Sequence, residues 1–356
     1  MNAENDQNAS TVYAQNYQNT RTVYAQNDQN TSTVYAQNVQ NTSTVYAQND
    51  QNTSTVNAQN DQHTNVVSNT LSKSHGPYDN DTKIIIIEDE DPKPGVKYRN
   101  DRGVVVSAGQ IFVSDLDRKV VQVYGMKGKR LRKFPTVMPG ENGTMKTMLP
   151  CDIAIDGQGH LWVPVLKSNK EGDDDAYVVQ YRQDGRPVSK FAFQTSGGYP
   201  HIDFDIRTNK IIMVNGSQIL MFHPNGTLCR TLENERDPLR FQYATSDKNG
   251  NILATEISQS TVQVYDSLGQ WLFKFGGYDS GEGWLNLPRG IRVDSAGHIL
   301  VADEGNRRVA NFTSQGEFLR NAAEVTAKPW NFAIGPEKQL VVTSSSDNTI
   351  TIIPDY

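Results

Sequence analysis

The chain of 356 residues carries a formal net charge of −6, with 36% hydrophobic and 21% charged residues. This length suits one large domain or two modest ones. Two cysteines are too few for a disulfide framework or a cysteine-rich zinc site, and no run approaches the roughly 18 apolar residues that span a bilayer. The first ten residues, MNAENDQNAS, lack the basic and apolar regions of a secretory signal. We therefore expect a cytoplasmic protein with no membrane partner.

The charge is distributed unequally along the chain. Residues 1–82 hold 2 of the 34 basic and 7 of the 40 acidic residues, so residues 83–356 have 32 basic and 33 acidic residues and a net charge of −1. Nucleic-acid-binding domains usually carry a strong excess of basic residues. Binding of nucleic acid would therefore require a local basic patch.

Residues 1–82 contain a short tandem repeat. The unit STVYAQNxQNT recurs every 11 residues and begins at positions 10, 21, 32, 43 and 54. Each unit has one or two apolar residues among amides and hydroxyls, so it cannot bury enough apolar surface to offset the entropy of ordering its backbone. The pattern predicts a disordered, low-complexity tail over residues 1–82.

The repeated tyrosines of this tail allow two interpretations. Tyr13, Tyr24, Tyr35 and Tyr46 lie in a TVYAQ context, which resembles the tyrosine switch motifs of immune receptor tails. Asn occupies the third position after each tyrosine, where such motifs have an apolar residue. The repeats are either multivalent docking sites that act after phosphorylation or a duplicated Gln/Asn-rich linker.

A second, longer repeat fills residues 83–356. Four short apolar strands, separated by Asp/Gly turns and polar loops, recur six times. The first strands begin near Gly103, Asp152, His201, Tyr243, Gly290 and Asn331. Four strands in every 40 to 50 residues are the signature of a β-propeller blade. The sequence therefore predicts an all-β fold, a six-bladed β-propeller over residues 83–356.

The sixth unit ends after three strands, so one strand must come from elsewhere. The β-branched run KIIIIED precedes the first unit. We expect its residues 83–88 to pair with residues 349–353, because this pairing covers two edges that would otherwise promote aggregation. The two ends of the propeller sequence would then meet in one blade.

Residues 287–319, LPRGIRVDSAGHILVADEGNRRVANFTSQGEFL, closely resemble the NHL repeat. The resemblance includes the core residues Val301, Ala302, Asp303, Asn306, Arg308 and Val309. It extends over about residues 83–356 and implies an NHL-type propeller, as in the C-terminal domain of the TRIM-NHL ubiquitin ligases. The RING, B-box and coiled coil of those ligases have no counterpart in this sequence, so the resemblance implies at most their recognition half.

One face of such a propeller collects the starts of the first strands and the loops between the second and third strands. The candidate binding residues on this face are Arg102, Arg118, Lys119, Tyr199, His201, Arg240, Arg289, Arg307, Arg308 and Trp330. Arginines interleaved with aromatic residues suit either a protein hot spot or stacking with unpaired bases. For Arg308, the alternative is a purely structural bridge between blades.

The sequence and the resemblance together predict a non-catalytic recognition scaffold without cofactor or metal. The expected partners are proteins, either ubiquitination substrates or a ligase subunit. RNA binding through the arginine and aromatic face is the alternative. A metal-dependent propeller lyase or hydrolase, using Asp152, His201 and Asp203, is a further alternative.

Overall fold

In the computed structural model, the described residues form a propeller of six antiparallel sheets, five with four strands and one, in blade two, with five. Beyond the backbone of four short strands in the first 79 residues, the structure describes residues 84–87, 103–139, 145–167, 176–196, 198–233, 239–277, 280–344 and 346–356. No described residue belongs to a helix long and apolar enough to cross a membrane. The chain divides into two compact units, Met1–Asp79 and Asn80–Tyr356.

The first unit contains four strands, which coincide with the 11-residue repeats. The strands are Thr11–Ala14, Thr22–Asn27, Thr33–Ala36 and Thr44–Asn49. The first pairs with the third and the second with the fourth, in parallel, so each residue faces its equivalent two repeats later. Two-stranded sheets are marginally stable in water. The disorder predicted for the other residues of 1–82 lies outside the described residues.

The first three blades follow the predicted order. Blade one consists of Val104–Ser107, Gln110–Asp115, Val120–Gly125 and Arg130–Pro135. Blade two consists of Leu149–Pro150, Ala154–Ile155, Leu161–Leu166, Ala176–Tyr181 and Pro187–Phe193. Blade three consists of His201–Asp205, Lys210–Asn215, Gln218–Phe222 and Leu228–Leu232. The first strand of blade two is split into two short pieces that both pair with Leu161–Leu166.

The last three blades have the same topology. Blade four consists of Phe241–Ser246, Ile252–Glu256, Thr261–Tyr265 and Trp271–Phe275. Blade five consists of Pro288–Val293, Ile299–Asp303, Arg308–Phe312 and Phe318–Glu324. Blade six consists of Pro329–Ile334, Leu340–Ser344, Ile350–Ile353 and Ile85–Ile87. A hairpin, Val137–Pro139 with Met145–Thr147, and a 3-10 turn, Gly281–Gly283, lie in the connections.

The first strands of the blades form the inner wall of a closed ring. Each first strand contacts the first strand of the next blade, including the step from blade six to blade one. Six clusters of buried side chains lie between neighbouring blades. Trp162 of blade two, for example, stacks on Phe204 of blade three with 5.9 Å between the ring centres. The hydrophobic core is therefore distributed around the ring rather than concentrated at one centre.

Blade six is completed by the segment that precedes blade one. Ile85–Ile87 pairs antiparallel with Ile350–Ile353, and Ile87 lies opposite Ile350. Ile87 is buried, whereas Ile86 points outward and is exposed. The pairing joins the two ends of the propeller sequence in one sheet.

The Asp/Gly turns connect first to second strands on the face opposite the candidate binding residues. In blade five, the Asp294 carboxylate accepts hydrogen bonds from the backbone N–H groups of Ala296 and His298. Gly297 has a φ of 89°, a left-handed conformation that glycine adopts without strain. Asp156 and Asp247 accept equivalent bonds in blades two and four. The hydrogen bonds to the Asp carboxylate and the left-handed conformation of the Gly explain why these two residue types recur in the turns.

Candidate binding face

The candidate binding face is the end of the propeller at which each first strand begins and each second strand ends. In five blades the second strand ends in a buried polar residue: Asp115, Asn215, Glu256, Asp303 and Ser344. Asp303 accepts a hydrogen bond from the backbone N–H of Asn286 at 2.7 Å, and Glu256 accepts one from the backbone N–H of Arg240 at 3.1 Å. These side chains fix the connections that carry the candidate residues.

Arg308 and Arg118 are candidate arginines of this face that pair with an acidic side chain at the end of the second strand of their own blade. Arg308 Nε lies 2.9 Å from Asp303 Oδ2, and the same guanidinium donates to the carbonyl of Trp284 at 2.5 Å. Arg118 Nη1 lies 3.0 Å from Asp115 Oδ2. Arg308 therefore ties a loop to the connection between blades four and five, which is the structural alternative the sequence left open.

Other candidates are more accessible. Arg240 and Arg307 are exposed, and Lys119 and Tyr199 are half-buried. Arg307 and Lys119 occupy equivalent positions before their third strands, with φ values of 53° and 57°. Arg102 lies outside the described residues.

The remaining candidate binding residues, His201, Arg289 and Trp330, converge at the axis of the ring. With three further residues, Asp152, Tyr243 and Asn331, they form a group that we call the axial cluster. The rings of His201 and Tyr243 lie 3.9 Å apart, and those of His201 and Trp330 lie 6.5 Å apart. His201 belongs to blade three and Trp330 to blade six, which are on opposite sides of the ring. Contacts between opposite blades place these side chains over the central channel.

Arg289 covers one side of this cluster. Its guanidinium carbon lies 4.1 Å from the centre of the Trp330 ring, a cation–π arrangement. Its Nε lies 2.7 Å from Glu304 Oε2, and it also donates to the side-chain oxygen of Gln242. Lys328 Nζ lies 4.0 Å from the other oxygen of Glu304. Arg289 is thus held in place by contacts from three blades.

Asp152 and Asn331 lie at the base of the cluster. Asp152 is fully buried and accepts hydrogen bonds from the backbone N–H groups of Ile153 and Ile202, each at 2.9 Å. Asn331 Nδ2 reaches it across blade one at 3.5 Å. Blade one has Gly103 at this point, where an added Cβ would lie 1.9 Å from Asp152 Oδ1. Because Gly103 has no side chain, Asp152 of blade two and Asn331 of blade six can approach each other over blade one.

Two buried polar atoms of the axial cluster have no hydrogen-bond partner among the described residues: Nδ1 of His201 and Nε1 of Trp330. His201 Nδ1 is 3.5 Å from Asp152 Oδ2, but the two atoms do not form a hydrogen bond. His201 is 7% exposed. Buried polar groups are nearly always paired, so these two atoms mark a place where a further group can bind.

The lyase alternative would require metal ligands from Asp152, His201 and Asp203. Within the described ranges, no three His, Cys, Asp or Glu side chains are arranged to hold a metal ion. Both oxygens of Asp152 already accept backbone hydrogen bonds. Asp203 points toward Thr245, whose hydroxyl donates to it at 2.6 Å.

We expect Asp203 to make the stability of the protein depend on pH. Burial raises the pKa of Asp203 above its usual range, and Arg292 and the Thr245 hydroxyl offset this only in part. A raised pKa in the folded state means that stability falls as pH rises from the unfolded pKa through the folded one. Asp203→Asn keeps an oxygen for Thr245 and removes the charge. We expect it to melt at a higher temperature than the wild type at pH 8 and at the same temperature near pH 3; a lower melting temperature at pH 8 would mean that the attraction of Arg292 dominates.

The sequence did not identify five residues that form or border the axial cluster as site residues: Gln242, Tyr243, Glu304, Lys328 and Asn331. Glu304 directly follows the NHL core residue Asp303, but its pairing with Arg289 bridges 15 positions. Gln242 and Arg289 are 47 positions apart. Nothing in a single sequence shows which of the many polar residues near strand starts will meet in this way.

Comparison with known proteins identifies the repeat. The NHL repeat model matches residues 285–312. Human NHL-repeat-containing protein 4 is 31% identical over 100 residues, which are 28% of this chain and 80% of that protein. The human E3 ubiquitin-protein ligase TRIM32 is 29% identical over 117 residues, which span only 18% of the ligase.

Solved structures share the fold. A streptogramin B lyase has a TM-score of 0.52 at 12% identity, over 76% of this chain and 96% of the lyase. A luciferin-regenerating enzyme has a TM-score of 0.53 at 11% identity, over 77% of this chain and 98% of the enzyme. At these identities the likeness concerns the fold alone. Since the human NHL-repeat-containing protein 4 is 31% identical and the match covers 80% of it, the chain belongs to the NHL-repeat family.

Proposed function

We propose that the propeller is a non-catalytic recognition module that binds protein partners through the binding face. An NHL propeller is a repeat-domain scaffold, and its loops can vary without changing the ring. The axial cluster combines Trp, Tyr and Arg, the residue types in which binding energy concentrates at protein interfaces. Arg240 and Arg307 are exposed on the same face and suit the more polar rim of such an interface.

The observation that carries this proposal is the charge balance of the face. Arg118 and Arg308 are each paired with a carboxylate of the same blade, at 3.0 and 2.9 Å, whereas Arg289 shares Glu304 with Lys328. RNA affinity depends on cations that neutralise phosphates and release counterions. Arginines that are already neutralised contribute little to such binding. The pairing therefore favours a protein partner over RNA.

The similarity to TRIM32 suggests which class of protein partner the propeller binds. TRIM32 is an E3 ubiquitin-protein ligase, and the match to this chain spans 18% of it. We propose that the captured proteins are ubiquitination substrates and that a separate ligase subunit supplies the chemistry. We place this function in the cytoplasm, where the free cysteines Cys151 and Cys229 would stay reduced.

Truncation of Trp330 tests the proposal. Trp330→Ala is expected to weaken capture of specific proteins by about 2 kcal/mol, roughly thirtyfold, as is typical of an interface hot spot. The control is Trp271→Ala, because Trp271 is 57% exposed on the outer strand of blade four, away from the face. Quantitative affinity capture from cell extract, with and without RNase, would measure the effect. Equal losses in both variants, or none in either, would contradict the proposal.

The same capture experiment examines RNA binding. RNA-dependent partners would disappear with RNase, and their affinity would fall by about 0.7 log units per log unit of salt for each phosphate contacted. Arg240→Glu would then abolish capture. Arg186→Glu is the charge-matched control, because Arg186 lies in the turn between the third and fourth strands of blade two, on the opposite face. The protein proposal predicts capture that survives RNase and changes little with salt.

A further inference from the structure

Two buried polar atoms of the axial cluster that lack a hydrogen-bond partner in the described part of the chain indicate which kind of group the cluster can bind. The indole N–H of Trp330 is a donor only, is buried, and has no acceptor among the described residues. The Nδ1 of His201 is also buried and without a hydrogen-bond partner, and it donates when it carries the proton. The indole N–H requires an acceptor, and a second acceptor satisfies His201 in the tautomer that carries its proton on Nδ1.

Cations border the cluster on the side of blades five and six. Arg289 and Lys328 share the carboxylate of Glu304, at 2.7 and 4.0 Å, so these three side chains together carry one net positive charge. The side chain of Arg289 is only 15% exposed, so its field is poorly screened by water. Asp152 lies deeper, with its oxygens facing the N–H groups of Ile153 and Ile202. An anionic acceptor entering the cluster would meet the cations before it meets this carboxylate.

Two other ligand chemistries fit less well. A ligand cation or a stacked base would need an open face of the Trp330 ring. The guanidinium of Arg289 already covers one face at 4.1 Å. His201 lies toward the same ring, at 6.5 Å between the ring centres, and is itself packed on Tyr243. The ring edge with its N–H, rather than the ring face, is the group that lacks a partner.

We propose that the axial cluster binds an acidic side chain of a protein partner, with the carboxylate accepting from Trp330 Nε1–H and from His201 and lying beside Arg289. This inference rests on the proposed function and names the chemistry of the residue that enters the channel mouth. Hydrogen bonds between charged and neutral groups are stronger than those between neutral groups. The site is therefore selective for Asp or Glu over Asn or Gln.

A peptide array tests this selectivity. The array holds random-sequence peptides rich in Asp and Glu, each beside a counterpart in which Asn replaces Asp and Gln replaces Glu. The intact purified chain is the probe. We expect acidic peptides to bind about tenfold more tightly than their neutral counterparts. Trp330→Phe, which keeps an aromatic ring but loses the N–H, should remove this preference, whereas Trp271→Phe should keep it.

A second measurement follows peptide binding in the wild-type protein and uses a variant only to assign one signal. Titration with a bound acidic peptide should shift the indole N–H signal of Trp330 in an NMR spectrum of ¹⁵N-labelled protein. The signal is assigned by its absence in Trp330→Phe. The neutral counterpart peptide at the same concentration should leave it in place.

The outcomes separate this inference from the proposed function. If acidic and neutral peptides bind equally well and both depend on Trp330, the face binds proteins but the carboxylate proposal is wrong. If neither peptides nor captured proteins depend on Trp330, the proposed function fails too. If single-stranded RNA shifts the Trp330 signal and no peptide does, the axial cluster is an RNA site and both proposals are overturned.

Discussion

A chain that lacks residues 83–88 is expected to melt about 10 °C or more below the intact protein. Ile87 packs against Ile350, Ile352 and Val341 in the cluster between blades six and one. Burial of one isoleucine contributes about 1.5 to 3 kcal/mol, and each backbone hydrogen bond of the strand adds about 1 kcal/mol. For a domain of this size, each kcal/mol corresponds to about 2 to 4 °C in melting temperature. Differential scanning calorimetry would measure the change.

Two point substitutions distinguish ring closure from general damage to the chain. Ile87→Asp places a charge in the cluster between blades six and one, whereas Ile86→Asp places the same charge on the outward side of the same strand. Ile87 is 8% exposed and Ile86 is 53% exposed. We expect a large loss of stability from the first and little from the second. Equal melting temperatures for the two variants, or an unchanged melt after the deletion, would show that this strand does not close the ring.

The six-bladed fold was predictable because each blade repeats its own local signals. Alternating apolar residues define the strands, and Asp/Gly turns separate them. Bulges explain the main differences in strand boundaries. The first strands of blades four, five and six begin at Phe241, Pro288 and Pro329, two residues before the predicted starts, and each has a register shift directly after its start. A bulge interrupts the period-two alternation of apolar and polar residues. The alternation that identifies the strand in the sequence therefore begins only after the bulge.

The sequence predicted where the candidate site lies but not which of its side chains contact one another. Strand starts and loops of a propeller share a face, and this rule places His201, Arg289 and Trp330 together. The rule does not show that Arg289 lies on the ring of Trp330 or that it pairs with Glu304. Such contacts depend on side-chain directions in different blades. The sequence could therefore name the face and several of its residues, but not which arginines remain available to a partner.

Among the NHL core residues, we expect substitution of Asp303 to cause the largest loss of stability. Its side chain is completely buried and accepts from Asn286 N, Asn306 Nδ2 and Arg308 Nε, at 2.7, 2.8 and 2.9 Å. Asp303→Ala leaves a largely buried guanidinium and a backbone N–H without this acceptor. Removal of one partner of a buried ion pair destabilises a protein by about 3 to 5 kcal/mol. Chemical denaturation would measure this loss as a lower midpoint.

A double-mutant cycle assigns that loss to the pair. If Arg308 acts mainly through Asp303, then Asp303→Ala combined with Arg308→Met should cost less than the sum of the two single changes, by about 1 to 3 kcal/mol. The exposed pair Asp184 and Arg186, 2.8 Å apart, is the matched control. Asp184→Ala is expected to change stability little, because exposed ion pairs are well solvated in both states. Additive losses at 303 and 308 would mean that Arg308 stabilises the face through the Trp284 carbonyl instead, and that the Asp–Arg pair of the NHL repeat is not the unit that fixes the loop.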